Sequence, residues 1–585
     1  MTRERENGKP RSAAGIGNRS ALARPTRRSL LKQTALAVGG AGAVRFLQAR
    51  SGGRTPGSGS LFQARAEAAP ALVPQRGGQL IIGISQEPQN FNPLLPWIEV
   101  QRGIHMSLFD GLWRIDPKGR YIPNLAIEVP SVAGGGISAG GTAFTINLRR
   151  DVKWHDGQPL TAKDVVFTWQ TLMNPKVTAY STVGYDQIAM LEAPDDFTVK
   201  FSLKEPYAPI LAVLADMYIV PEHILSKSAD INKDDFNTRR PIGTGAYKFV
   251  EWVAGDHITL EANRAYHGPG PYVDRLIYKY VSDLTVLFTQ FKAGDVDVTG
   301  LQGIPVDLYP EAKGLPNTML YAPPGTAYES VAQNFLNPLF QDRRVRQALY
   351  FGMDKKPIVE KIFLGLVPEA ETYVPPQSWA YNPRVRGAHK YDPAQAKQLL
   401  ERAGWMTGPD GIRVKGGQRL SFECATTAGN KQREQIQQLL QQQWRQIGVE
   451  MKINNMPAAV LFGDFYRLSK FQTVLIGISM GPDPDHTFRL HSKYIPVKGG
   501  KGRNAIAYEN PEVDRLLEAG VREVDQERRK PIYYKLQEVL VTDLPHLPIY
   551  HYVTIFGTRS SVQGFQPNAN MIDVSWNTNE WWVKR

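Results

Sequence analysis

Cysteine is almost missing: Cys424 is the only one in 585 residues. A single thiol excludes an internal disulfide framework and any centre built from several cysteines of one chain. Long apolar runs are missing as well. No segment approaches the roughly eighteen apolar residues that a membrane-spanning helix requires. Histidine is scarce, at ten residues, and forms no HExxH or HxH group, so zinc-peptidase chemistry has no ligand set to start from. No Ser-His-Asp set is recognisable from spacing. Neither catalysis nor a cofactor or metal is expected.

An even basic surface is also lacking. The formal net charge is +13, but residues 1–68 hold thirteen Lys/Arg against three Asp/Glu. The remaining 517 residues carry a surplus of only three. That leaves no electrostatic case for a nucleic-acid partner. The basic leader reads as an address instead. Arg27-Arg28 precedes the weak apolar run Ala35–Val44, which resembles a twin-arginine export signal. Residues 1–75 are read as this signal plus a flexible linker. An exported location follows, periplasmic or extracellular.

Beyond residue 75 the chain is globular in composition, with 42% hydrophobic and 21% charged residues. Gln79–Ile84 is short, apolar and β-branched, hence a buried strand. Phe144–Leu148 alternates like a half-buried strand, and Trp154-His155-Asp156-Gly157 reads as a structural turn rather than an acid/base pair. Thr161 and Asp164 form a capping-box pattern that starts a helix. Gly243-Thr244-Gly245 is a tight loop entering a hairpin made by Tyr247–Phe249 and Ile258–Ala262. Helices are predicted at 285–293, from Asp342 onward, and at 393–403, 431–447, 511–520 and 525–543. Asp342 and Arg346, at i and i+4, suggest a helix-surface ion pair. Alternating strands and helices indicate an α/β chain.

The stretch Ser479–His491, SMGPDPDHTFRLH, packs two carboxylates and two imidazoles into thirteen residues. His486 and His491 are five apart, which one helix face does not bring to one metal.

Five ordered blocks carry a resemblance: Gly77–Pro93, Phe144–Gln170, Pro241–Gly268, Phe291–Val298 and Asn337–Gly365. Together they resemble the extracytoplasmic solute-binding proteins of ABC importers, the peptide/nickel/opine-binding family. The resemblance implies a two-lobed periplasmic-binding-protein fold of type II with an extra inserted domain and a ligand cleft between hinged lobes. It places the main lobe at 76–96, 238–325 and 553–585, the inserted small domain at 97–237 and the second lobe at 326–552. The implied function is capture of a peptide or similar solute and its delivery to an ABC permease, by a monomer at the outer face of the cytoplasmic membrane. An oligosaccharide or opine ligand stays open, as do a secreted hydrolase and a peptide-holding chaperone.

In peptide-binding relatives the strand-to-loop segment lines the cleft, and an Asp shortly before a DP dipeptide receives the peptide ammonium. Here Asp483-Pro484 matches the dipeptide, but Met480 stands at the amine-binding position. Ser479, Met480, Gly481, Asp483 and Asp485 are therefore candidates: either Asp483 or Asp485 takes over the charge, or the ligand is an oligosaccharide, an opine or a blocked peptide. Rough alignment adds Gln86, Glu87, Phe91, Tyr180 and Asn334. Trp97 and Trp405 are candidates for stacking on a ligand.

Overall fold

The computed structural model describes residues 73–585, apart from 389, 501 and 572. The export signal expected in the leader lies outside the described residues. Among the described residues, no helix is long and apolar enough to cross a membrane.

Three sheets organise the chain. The largest has seven strands in the order Thr318–Tyr321, Phe556–Arg559, Val298–Thr299, Gln79–Ile84, Arg275–Tyr280, His257–Ala262 and Tyr247–Val253. The apolar run Gln79–Ile84 lies at its centre, parallel to both neighbours. It is buried there because neither side is left for water. A five-stranded sheet runs Glu450–Met456, Ser421–Thr427, Thr473–Ser479, Pro324–Gln333 and His546–Val553. A three-stranded antiparallel sheet joins Ala143–Asn147, Thr198–Leu203 and Ile188–Asp195.

The chain passes between the two large sheets at two places. Thr318–Tyr321 belongs to the first sheet and Pro324–Gln333 to the second; His546–Val553 returns through Phe556–Arg559. The crossings are adjacent, since Pro324 pairs with Val553. Two short, neighbouring crossovers are the geometry of a hinge.

The small sheet has no core of its own. Phe144, Ile146, Val199 and Phe201 belong to the same buried cluster as Leu80, Ile82, Leu260 and Leu276 of the seven-stranded sheet. The five-stranded sheet has separate cores on its two sides. These three sheets, the main ones of six among the described residues, thus pack as two bodies.

Local sequence signals account for the helices. Thr161 and Asp164 do form a capping box ahead of Ala162–Met173. Helix Leu284–Ala293 is stopped by Gly294 in the left-handed conformation, which costs glycine least. The helices found at Pro393–Arg402, Lys431–Gln446, Pro511–Arg522 and Gln526–Asp543 fall where periodicity puts them. The expected Asp342–Arg346 pair is not formed. Asp342 caps the helix Arg343–Phe351 and pairs with Arg344. Arg346 instead turns inward to Asp543 at 2.5 Å and to the Phe340 carbonyl. A cap at the first position uses the carboxylate that the i, i+4 pair needs.

Two motifs that look chemical in sequence prove to be one structural joint. His155 Nε2 lies 3.0 Å from the Gly245 carbonyl, and the Gly243 N–H donates to His155 Nδ1 at 3.2 Å. A Cβ on Gly243 would stand 1.8 Å from the Leu108 carbonyl oxygen. Only glycine permits that approach.

Candidate functional site

A cavity of about 410 Å³ opens between residues of the segment 102–216, the loop 481–485 and Asn570-Met571. Its first wall is built on two helices. Arg102, on Glu99–Leu108, makes a bidentate pair with Asp216, at the end of Ile210–Ala215, with distances of 2.6 and 3.1 Å. Arg102 also lies 5.0 Å over the Trp97 ring. Trp97 in turn meets Tyr180 at 5.6 Å between centroids. The Tyr180 hydroxyl is 2.9 Å from that of Tyr185, which donates to the Val213 carbonyl. This chain of contacts fixes an aromatic and polar face.

The opposite wall is the loop that leaves strand Thr473–Ser479. Asp483 receives two hydrogen bonds, of 2.7 and 2.9 Å, from Arg529 on the helix Gln526–Asp543. Arg529 is itself held by the Gly520 carbonyl. Asp483 also accepts the Asp485 N–H at 3.0 Å, and Tyr373 donates to the Pro484 carbonyl. The loop is therefore anchored at three consecutive residues.

Asp485 is the uncompensated group. Its Oδ1 accepts from the Thr487 N–H at 2.9 Å and from the Thr487 hydroxyl at 2.5 Å. Its Oδ2 accepts no hydrogen bond from the described residues, and no cation pairs with it among them. Burial, and then the nearby Asp483 charge, hold its carboxyl above the usual range. Asp216 and Asp483 have guanidinium partners in ion pairs; among the described residues Asp485 has no ion pair, and Arg529 acts on it only from beyond contact. The cavity thus carries one surplus negative charge.

The segment before helix Ile210–Ala215 meets helix Pro511–Arg522 beside this loop. The Ala208 N–H donates to the Val521 carbonyl at 2.7 Å, a direct bridge between the two bodies. The Tyr207 phenol is raised by burial and by Asp485 and Asp483. Ile115, Asn570 and Met571 complete the enclosure.

Of the residues singled out in the sequence, Tyr180, Gly481, Asp483 and Asp485 come together at this cavity, with Trp97 behind Tyr180. Ser479 and Gln86 are exposed, and neither lines the cavity. The others are occupied by structure. Met480 is packed in the core below the loop, 2% exposed. Phe91 is fully buried against Phe249 and Trp252. Trp405 is buried in one core of the five-stranded sheet. Asn334 ties down the Ser469 and Phe471 carbonyls. Glu87 accepts from Trp252 Nε1 and the Gly255 N–H. An apolar or amide side chain already satisfied by its own fold is not available to a ligand. Arg102, Asp216, Tyr185 and Arg529 carry no sequence signal. Their partners lie 114 and 46 residues away for Asp216–Arg102 and Asp483–Arg529, beyond any local periodicity.

Gly477-Ile478-Ser479-Met480-Gly481 has the GxSxG spacing of a hydrolase nucleophile elbow. Its surroundings argue against that role. Such an elbow leads directly from strand into helix, whereas here a loop intervenes before Thr487–Leu490. No histidine hydrogen-bonds Ser479 among the described residues. Nor do three or more His, Cys, Asp or Glu side chains gather as a metal site among them.

Two bodies joined by two adjacent crossovers, with a charge-lined cavity between them, have the build of a ligand-binding protein that closes on its solute. Residues 120–494 match the bacterial extracellular solute-binding proteins, family 5 (middle). The chain is 30% identical over 551 residues to the oligopeptide-binding protein AppA of Bacillus subtilis, covering 92% of this chain and 96% of that one. It is 32% identical to protein XP55 of Streptomyces lividans, covering 81% and 83%. The fold is similar to that of AppA solved with a nonapeptide, at a TM-score of 0.70 and 30% identity, over 88% of this chain and all of that one. It is similar also to NikZ of Campylobacter jejuni solved with Ni(L-His), at a TM-score of 0.70 and 29% identity, over 86% and 99%. The chain belongs to family 5 of the bacterial extracellular solute-binding proteins. It has the role of a substrate-binding receptor of an ABC importer.

Proposed function

We propose that this receptor holds a short peptide in the inter-lobe cavity, with the peptide ammonium against Asp485. The observation that carries this reading is the carboxylate of Asp485, which lines the cavity and forms no ion pair among the described residues. A buried charge without a partner is costly, and a ligand cation offsets that cost. The Arg529 pair holds Asp483 in place, so it orients the loop rather than binding the ligand. Gly481, Tyr180 and Trp97 give the peptide backbone and first side chain a polar edge and an aromatic face.

The same proposal includes the rest of the machinery. The main lobe, inserted domain and second lobe take the boundaries given above, with hinges at 321–324 and 553–556. Closure of the lobes presents the docking surface for a membrane permease. The chain acts as an exported monomer at the outer face of the cytoplasmic membrane, and it releases its peptide uncleaved.

Isothermal titration calorimetry with pentaalanine and N-acetyl-pentaalanine tests the ligand assignment. The free amine is expected to bind about tenfold or more tightly than the acetylated peptide, and Asp485→Asn to erase that difference. Equal binding of both peptides to the unaltered protein overturns the ammonium assignment. Binding of neither overturns the peptide class.

A further inference from the structure

Lys355 is a buried cation that forms no ion pair among the described residues. Its ammonium donates to the Ala370 carbonyl and to the Tyr350 hydroxyl, at 2.6 Å each, and lies 4.5 Å from the centre of the Tyr350 ring. Burial lowers it to about 8, against the pull of Glu369 and Glu371. Taking an ammonium out of water without a carboxylate in contact is costly. Here that cost falls at one point of the main chain, residue 370. The carbonyl there belongs to a strap laid along strand His546–Val553, which is an edge of the five-stranded sheet. The Ala370 N–H donates to the Ile549 carbonyl at 3.0 Å, the His551 N–H donates to the Pro368 carbonyl at 2.9 Å, and Glu369 faces Tyr550 across an antiparallel bridge. Three residues on, the strap brings Tyr373 to the back of the acidic loop. Tyr373 is buried. Its hydroxyl donates to the Pro484 carbonyl at 3.1 Å, and its ring stacks on His486 with centroids 4.4 Å apart and planes at 27°. One side chain thus grips the residue before Asp485 and the residue after it.

We infer that Lys355 and Tyr373 are positioning residues for Asp485: the ammonium clamps the strap at residue 370, and the strap fixes the carboxylate that meets the ligand. Neither side chain lines the cavity, so both act through the loop. Their effect on binding rests on the peptide reading above; their effect on the order of the loop does not. A carboxylate already held in place gives up less freedom when a cation docks on it. Loosening the strap leaves Asp485 present but unfixed, and the preference for a free amine falls with it.

Two variants test this. Tyr373→Phe keeps the ring and removes the hydroxyl; Lys355→Met keeps the stem and removes the charge. Val513→Ala, in the same buried cluster as Tyr373, is the control for a general loss of packing. Hydrogen exchange followed by mass spectrometry is read first, on ligand-free protein, over the segment 483–487. There the Asp485 N–H is bonded to Asp483 and the Thr487 N–H to Asp485. Exchange in this segment is expected to be about tenfold faster in both variants than in the unaltered protein, and unchanged in Val513→Ala. Unchanged exchange in the two variants overturns the inference, and so does equal acceleration in Val513→Ala. Where Lys355→Met does not fold, Tyr373→Phe decides by the same two outcomes. The second measurement titrates pentaalanine and N-acetyl-pentaalanine. The ratio of their affinities should shrink toward one in both variants and hold in the control. If the unaltered protein does not distinguish the two peptides while exchange still rises in the variants, the positioning role stands and the ammonium reading falls. If the unaltered protein distinguishes them and the variants do so equally well, the positioning role is overturned and the ammonium reading stands.

Discussion

Two residues five apart, Met480 and Asp485, show how position rather than type decides function here. Met480 sits in the core beneath the loop, whereas Asp485 reaches the cavity. An aspartate at 480 would be a buried charge without a partner, so Met480→Asp is expected to lose roughly 3 kcal/mol of stability. Urea unfolding with Met480→Leu as the control checks this. A gain of peptide affinity at unchanged stability would contradict the core placement. Asp485 also sets a pH dependence for binding. Its carboxyl is raised by burial and by Asp483, and only the ionised form attracts an ammonium. Affinity for pentaalanine should therefore fall as pH drops through that raised value, and fall again above about 8 as the peptide amine loses its proton. Calorimetric titrations across pH report both limbs. N-acetyl-pentaalanine should show neither.

At the scale of elements, the joint between the turn at His155 and the loop Pro241–Tyr247 ties the turn to the chain entering the seven-stranded sheet. Gly243 lies against the Leu108 carbonyl with no room for a Cβ. Gly243→Ala is expected to cost about 3 kcal/mol through displacement of the backbone. A lower denaturation midpoint with an unchanged m-value would register this loss. The helices and the central strand Gln79–Ile84 were legible because their signals are local: a cap, a period, a stop glycine. The site was legible only in part. The loop 479–485 stands out by composition, and its acidic pair does face the cavity. Arg102, Asp216 and Arg529 do not stand out, because their roles come from pairing across the fold. Phe91, Trp405 and Asn334 look like binding residues by type, yet each is consumed by packing or by a turn.

For the whole molecule, burial of imidazoles predicts acid sensitivity. Burial lowers His105, His486, His546 and His551 to about 3, and His155 to about 4, from 6.5. The unfolded chain then binds more protons than the folded one between those values. Stability from these groups is fully present above pH 6.5 and is lost as pH falls, by about 1.4 kcal/mol per unit for each histidine. Thermal unfolding midpoints should drop steeply between pH 6.5 and 4, and His546→Gln should flatten the slope.

The two bodies touch at Ala208 and Val521, and the cavity lies between facing walls. A receptor of this kind purified gently from its own cells should carry its solute with it. Native mass spectrometry of that protein is the most direct test of the account. The expected result is adducts whose masses, after release, sequence as short peptides with free amino ends, and which are depleted in Asp485→Asn. Adducts that are sugars or metal chelates, or peptides bound equally well by Asp485→Asn, would contradict it.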